Sequence, residues 1–256
     1  MSVTVVNGIV TRYTNYREND RILTVFSPEI GRIDVKSRGC RRMKSPLLPC
    51  SQPFVYGEFE LYRAKDKYTL NQCEIRETFF PIRENYDAFS SASAILQLVT
   101  DTIQENEPNE ALFSLVYHTL SFLAYGTANA RDLLACFLIR FLNLTGFRPS
   151  ITVCARCGRD VRGDAVLRFS ARSGGVVCAA CDLQAEKISK TALEGMRRML
   201  LLADSEMDRV RLSETIREET MHALSAYTVQ TLDCGQKALQ LADAVRGSWG
   251  SESEKP

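Results

Sequence analysis

Cys154-Ala-Arg-Cys157 and Cys178-Ala-Ala-Cys181 put four thiols in two Cys-x-x-Cys knuckles on either side of residues 158–177. A knuckle turns tightly enough to aim two thiolates at one tetrahedral ion, and a linker of this length folds back as a hairpin to bring up the second pair. Gly158 follows the first knuckle and Gly174-Gly175 precede the second, where the chain must turn sharply. Four sulfur ligands close the coordination sphere and leave no open position for water or substrate. The expected chemistry is therefore structural, with one Zn2+ held by Cys154, Cys157, Cys178 and Cys181. The ion would stand in for a core that a segment of about thirty residues is too short to build. A thioredoxin-like redox site would use one such pair in a βαβ setting. A zinc deaminase would need His-x-Glu ahead of its cysteines, whereas His118 is followed by Thr119-Leu120 and His222 by Ala223-Leu224. The ligands alone also admit an iron-sulfur cluster, which the ribbon spacing disfavours.

The second group able to act on a ligand is cationic. Arg32, Lys36, Arg38, Arg41, Arg42 and Lys44 are opposed only by Asp34, the largest local charge imbalance in a chain whose net charge is +1. Arginine suits phosphate because its planar fork bonds two oxygens at once, and lysine adds mobile point charge. Tyr13, Tyr16, Phe54 and Tyr56 lie near enough in sequence to offer faces for base stacking. Charge runs are often no more than solvated surface, and aromatics in a small barrel mostly fill its interior, so the cations are the stronger candidates. The acidic residues are dispersed and nowhere form the carboxylate cluster that a metal-dependent nuclease or nucleotidyl transferase needs.

These two groups need elements to hold them. Residues 3–13, 21–26, 31–37, 54–63 and 68–76 read as strands, β-branched and aromatic runs broken by Asn19-Asp20, Ser27-Pro28-Glu29-Ile30-Gly31 and Lys65-Asp66-Lys67. Five short strands fit a small closed barrel, either the OB-fold or an SH3-like one. In an OB-fold the basic run becomes the third strand and the loop that leaves it. After Pro81 apolar residues recur at helical spacing, at Ile95, Leu98, Val99 and Ile103, at Leu112, Leu115, Val116, Leu120 and Leu123, and at Leu133, Leu134, Phe137, Leu138 and Phe141. Pro108-Asn109 and Asn129 with Asp132 signal starts, and Gly126 and Gly146 stops. Helical texture resumes from Lys187, with Ser189 and Ser213 as caps. The fold class expected is α+β: an OB-fold barrel over 1–80, a helical body over 81–150 and 183–247, an inserted zinc-ribbon-like lobe over 151–182, and a disordered tail over 248–256 that carries Trp249.

The composition, 45% hydrophobic and 25% charged, is that of an ordinary globular chain. Residues 133–139, the longest apolar run, are bounded by Asp132 and Arg140, too short to span a bilayer. Met1-Ser-Val-Thr-Val-Val6 lacks the basic start and apolar core of a leader. Nine cysteines, five of them (Cys40, Cys50, Cys73, Cys136, Cys234) without pairing rhythm, point to a reducing compartment. A cytoplasmic location is expected.

Gly31-Arg32-Ile33-Asp34-Val35-Lys36-Ser37-Arg38-Gly39-Cys40-Arg41-Arg42-Met43-Lys44-Ser45, then Leu47-Leu48, Pro53-Phe54 and Glu58-Phe59-Glu60-Leu61, resemble the N-terminal barrel of the RecO proteins. Leu138 with Phe141-Leu142, Gly146-Phe147-Arg148-Pro149 and residues 154–158 resemble that family's helix end and first knuckle, and Phe169-Ser170 through Cys181 its second. The likeness covers nearly the whole chain in the same order and thins after Leu183 to a general helical pattern and a loose segment over 227–239. It implies a non-catalytic role in RecA-dependent recombinational DNA repair, nucleoid association, partnership with RecR, and contact with RecA and single-strand-binding protein. It also implies binding of single- and double-stranded DNA without sequence preference and annealing of complementary strands. Carried over by position, the DNA contacts fall on Lys36, Arg38, Arg41, Arg42 and Lys44, with Arg32 in the same run. The competing expectation is a zinc-stapled interaction scaffold, or a transcription- or RNA-associated module, that does not anneal DNA.

Overall fold

Period-two alternation at the N-terminus yields β1 (Ser2–Tyr16), β2 (Asp20–Ser27), β3 (Gly31–Ser37), β4 (Tyr56–Ala64) and β5 (Lys67–Glu77), in a computed structural model that describes residues 2–65 and 67–243. The strands close into a barrel in the order β1-β2-β3-β5-β4, which leaves no free edge. All neighbours are antiparallel except β3 and β5. This is the OB-like arrangement of the two barrels the sequence admits. β1 reaches both neighbours because it bends: residues 2–9 pair with β4, residues 9–16 pair with β2, and a register shift between Val10 and Arg12 marks the bulge. Gly8 sits at the bend, where a Cβ would come within 2.5 Å of Val25 Cγ1. Val6, Val10, Leu23, Val25, Ile33, Val35, Phe59, Leu61 and Leu70 fill the interior, joined by Cys50 and Val55 from the connection after β3.

Two strand limits differ from the sequence expectation by more than one residue. β1 runs on to Tyr16 and turns only at Arg17, which takes φ +54. β4 starts at Tyr56 instead of residue 54, because Phe54 adopts φ +71 and is buried at the end of the preceding turn.

The chain divides into two units, residues 1–84 with 96–114, and residues 85–95 with those from 115 onward. In the first unit, segment 96–114 covers the outside of the barrel where β3 begins. Asn106 N–H donates to Arg32 O (3.1 Å), and the rings of Phe26 and Tyr56 pack on Phe113 at 5.5 and 6.1 Å. Gly31, at φ +73, lies so close that a Cβ would sit 2.2 Å from Glu107 O.

The helices are α1 (Tyr86–Thr102), α2 (Glu110–Tyr125), α3 (Ala130–Leu144), α4 (Lys190–Leu201), α5 (Glu214–Thr231) and α6 (Gly235–Asp243). α3 is buried from Asp132 through Ile139 and again at Phe141 and Leu142, the mark of a helix surrounded by others; α4 and α5 pack against it. Asn129 caps α3 by accepting from Arg131 N–H, whereas Asp132 turns inward. Fully buried, it accepts from Arg217 Nε at 2.7 Å and from Leu212 N–H at 3.1 Å, tying α3 to α5. Between α3 and α4 lies a small sheet, β6 (Leu167–Ser170), β7 (Gly175–Cys178) and β8 (Glu186–Ile188), in the order β7-β6-β8. Lys187, read from sequence as the resumption of helix, is in β8; three residues are too few for a period to show. The helix begins at Lys190, and Ser189 caps it by accepting from Ala192 N–H. The tail over 248–256, with Trp249, lies outside the described residues. Among the described residues no helix is long and apolar enough to cross a membrane.

Candidate nucleic-acid interface and metal centre

The β6–β7 hairpin carries Cys178 back toward the first knuckle. Ala155 N–H donates to Val176 O (2.8 Å), Cys154 N–H to Arg159 O (2.7 Å), and Gly158, at φ +74, donates to Cys154 O (2.8 Å). All four sulfurs lie within 4.8 Å of one another, and Cys157 Sγ is 3.9 Å from Cys178 Sγ. A tetrahedron with metal–sulfur bonds of about 2.3 Å has edges of about 3.8 Å, so the cluster is of the size to hold a metal ion. Burial opposes a Cys154 thiolate, yet the N–H groups of Cys178, Cys157 and Arg156 outweigh it and hold the pKa down to about 6. Cys178 is lowered by Cys181 and Arg159, while the neighbouring sulfurs of Cys178 and Cys157 push Cys181 up to about 12. Cys154 and Cys178 thus favour the thiolate, the form that binds a cation.

The six cations of the basic run do not stay together. Lys36 leaves the outer face at the far end of β3, and Arg38, Arg41, Arg42 and Lys44 are exposed on the turn that follows. Among the described residues none of these four has a carboxylate partner at ion-pair distance. Arg32 stands four residues back, roughly 13 Å away along the strand. It donates to Thr100 O (2.7 Å) and Glu105 (3.0 Å), so its fork is already engaged.

The turn is held by the β1–β2 hairpin tip. Asp20 accepts from Gly39 N–H (2.8 Å) and pairs with Lys36 (3.4 Å), and Arg41 N–H donates to Asn19 O (3.0 Å). The Gly39 N–H, foremost, and Lys36 keep the Asp20 carboxyl below its usual range. The tip adds two cations that sequence reasoning missed. Arg17 is exposed, with its guanidinium 5.3 Å from the Tyr16 ring, and Arg21 lies 3.8 Å over Tyr13 while donating to Ser51 O. No local sequence signal marks them, because it is the strand register, with Arg21 opposite Ser37, that brings the tip to the turn.

Of the four aromatics offered for stacking, Tyr16 is 40% exposed with Lys36 4.8 Å from its ring. Tyr13 lies under Arg21, Tyr56 packs on Phe113, and Phe54 is buried. Phe54 is therefore unavailable, and Tyr56 is half-buried.

Barrel, helical body and four-cysteine lobe together define the class: an OB-fold protein whose helices carry a compact sulfur site. Residues 1–79 match the family described as "Recombination protein O N terminal", and residues 83–240 match "Recombination protein O C terminal". The chain belongs to the RecO family of DNA-repair proteins. Three relatives, each named DNA repair protein RecO, resemble it over nearly their whole length. The one from Alkaliphilus metalliredigens is 30% identical over 88% of this chain and 92% of its own. Those from Caldicellulosiruptor saccharolyticus and Acetivibrio thermocellus are each 31% identical, over 92% and 89% of this chain and 95% and 91% of their own.

Proposed function

We propose that this chain is a non-catalytic mediator of recombinational repair that binds single- and double-stranded DNA by its phosphates, anneals complementary strands and, with RecR, helps load RecA recombinase. The observation that carries the reading is the cationic platform on the barrel. Arg17, Arg38, Arg41, Arg42 and Lys44 are exposed there, with Lys36 and the open ring of Tyr16 beside them. Loop ends of an OB-like barrel are where single strands are gripped, and cations with one accessible ring attract any sequence alike. Met43, 96% exposed among these arginines, adds an apolar contact for bases. Annealing follows when two mutually repelling backbones are neutralised on one surface, so no covalent step is needed. Arg32, engaged by Glu105 and Thr100, is assigned to fold integrity and not to DNA.

The four-cysteine site is assigned one Zn2+ on Cys154, Cys157, Cys178 and Cys181. Bound there, the ion supplies cross-linking and no Lewis-acid chemistry, because four sulfurs leave it no open position.

The experiment is a titration of the purified protein into fluorescent single-stranded DNA at several salt concentrations, with annealing of the complement followed in the same samples. Salt-sensitive, sequence-indifferent binding with accelerated annealing is expected. No binding even at low salt would overturn the reading in favour of a metal-stapled interaction scaffold.

A further inference from the structure

Three clefts of similar volume, about 550, 550 and 540 Å³, open on the second unit. The first is walled by Glu186, Glu218 and Glu219 against Lys187 and His222, a mainly acidic lining that disfavours phosphate. The second mixes Glu194 with Lys190, Arg198, Arg209 and Arg211 around an apolar floor. The third, at the first knuckle, has no carboxylate in its walls. Its lining includes Arg148, Ser150, Thr152, Gly158, Ser173 and Gly174.

Most arginines of this lobe are committed. Arg159 is bound to Asp164, Arg162 to Asp160, Arg156 to Cys181 O and Arg168 to Ala185 O. Arg148 and Arg172 are exposed and, among the described residues, have no ion-pair partner. They belong to adjoining segments, since Ser150 N–H donates to Gly174 O (2.9 Å) and Val176 N–H to Ser150 O (2.8 Å). Phe147, beside Arg148, is 43% exposed. Gly146, Gly158 and Gly174 leave the backbone bare, for a Cβ on any of them would meet nothing within 4 Å. Free forks for phosphate, hydroxyls, open backbone and one accessible ring are what a short stretch of unpaired nucleic acid uses.

We infer that the cleft walled by Arg148 and flanked by Phe147 and Arg172 is a second single-strand site, weaker than the platform on the barrel, which holds the incoming strand during annealing. The inference rests on the DNA-binding reading above. It gives that reading a second site on a different unit, so two strands need not compete for one set of cations.

The test compares the whole chain with its Arg148→Ala/Arg172→Ala and Phe147→Ala variants, first checking metal content and melting to confirm the lobe is intact. Binding of a first labelled strand should stay within about twofold of the parent. Two phosphate contacts on single strands give about 1.4 log units per decade of salt, so annealing by the double variant should fall by roughly 25-fold at 0.1 M salt and approach the parent's rate toward 1 M. Arg148→Lys/Arg172→Lys should recover most of the loss. Independently, a second strand carrying 5-iodouracil, added after the first, should photo-crosslink to the segment containing Phe147. Unchanged annealing by an intact double variant, or crosslinks only to the barrel, overturns the inference and leaves DNA binding by the barrel standing. A parent chain that binds no DNA overturns both.

Discussion

Replacing Arg38, Arg41 and Arg42 together by alanine tests the platform most directly, because all three are exposed and none has a carboxylate partner among the described residues. Counting Arg17, Arg38, Arg41, Arg42 and Lys44 as phosphate contacts, and leaving out Lys36 because Asp20 already neutralises it, gives five. For single strands each contact contributes about 0.7 to the slope of log affinity against log salt, so the parent slope should be about −3.5 and the variant's about −1.4. Between 50 and 200 mM salt the parent should then lose roughly 130-fold in affinity and the variant roughly 7-fold. Fluorescence anisotropy with two unrelated oligonucleotides across that range measures both slopes, and the loss should be the same for each sequence. An unchanged slope in a folded variant, or a loss confined to one sequence, would refute the assignment.

Removing Cys157 takes one vertex from the sulfur tetrahedron; metal binding contributes on the order of 10 kcal/mol to the folding of such sites. Cys157→Ala should lose its metal and melt the lobe at lower temperature, while the salt slope of first-strand binding stays that of the parent; metal retention with unaltered melting would count against the site. Asp132→Ala takes the buried carboxylate from the Arg217 guanidinium, only 11% exposed, and leaves it Glu214 and the Leu212 carbonyl. Urea unfolding should show a loss of about 3 to 5 kcal/mol, and a loss below about 1 would mean the pair is not the tie between α3 and α5. Gly31→Ala would combine positive φ with a carbonyl contact of 2.2 Å. It should lower stability by at least about 2 kcal/mol, with no change in DNA affinity at temperatures where it is folded; a neutral result would mean segment 103–109 yields freely.

Much of this layout was legible in the sequence where a single residue type or a local period decides it. The strands of the barrel alternate because one face is interior, the knuckles have a fixed spacing, and Asn129 and Ser189 cap the helices they precede. What was hidden depends on partners far away in sequence. Arg32 looks like one more cation of a basic run until Glu105 closes on it. Arg17 looks incidental until the hairpin tip meets the turn after β3 through Asn19 and Arg41. Asp132 reads as part of a helix start, and only α5 reveals its inward role. Phe54, an apparent stacking face, is consumed by packing at a turn, and Tyr56 is partly covered by Phe113.

The barrel is zipped unevenly. β1, β2 and β4 are joined by long antiparallel ladders, but the circle is completed by just two residue pairs, Val35 with Tyr68 and Lys36 with Thr69, in parallel register. That seam bridges residues more than thirty positions apart, so its loop-closure entropy is met by very few hydrogen bonds, and it should form last during folding and breathe first in the native state. Amide exchange at Tyr68 and Thr69 should accordingly outpace that at Leu23 and Val25. Because Lys36 is itself a member of the seam, each opening would also loosen the root of the cationic turn, giving the platform a built-in compliance on the timescale of local unfolding.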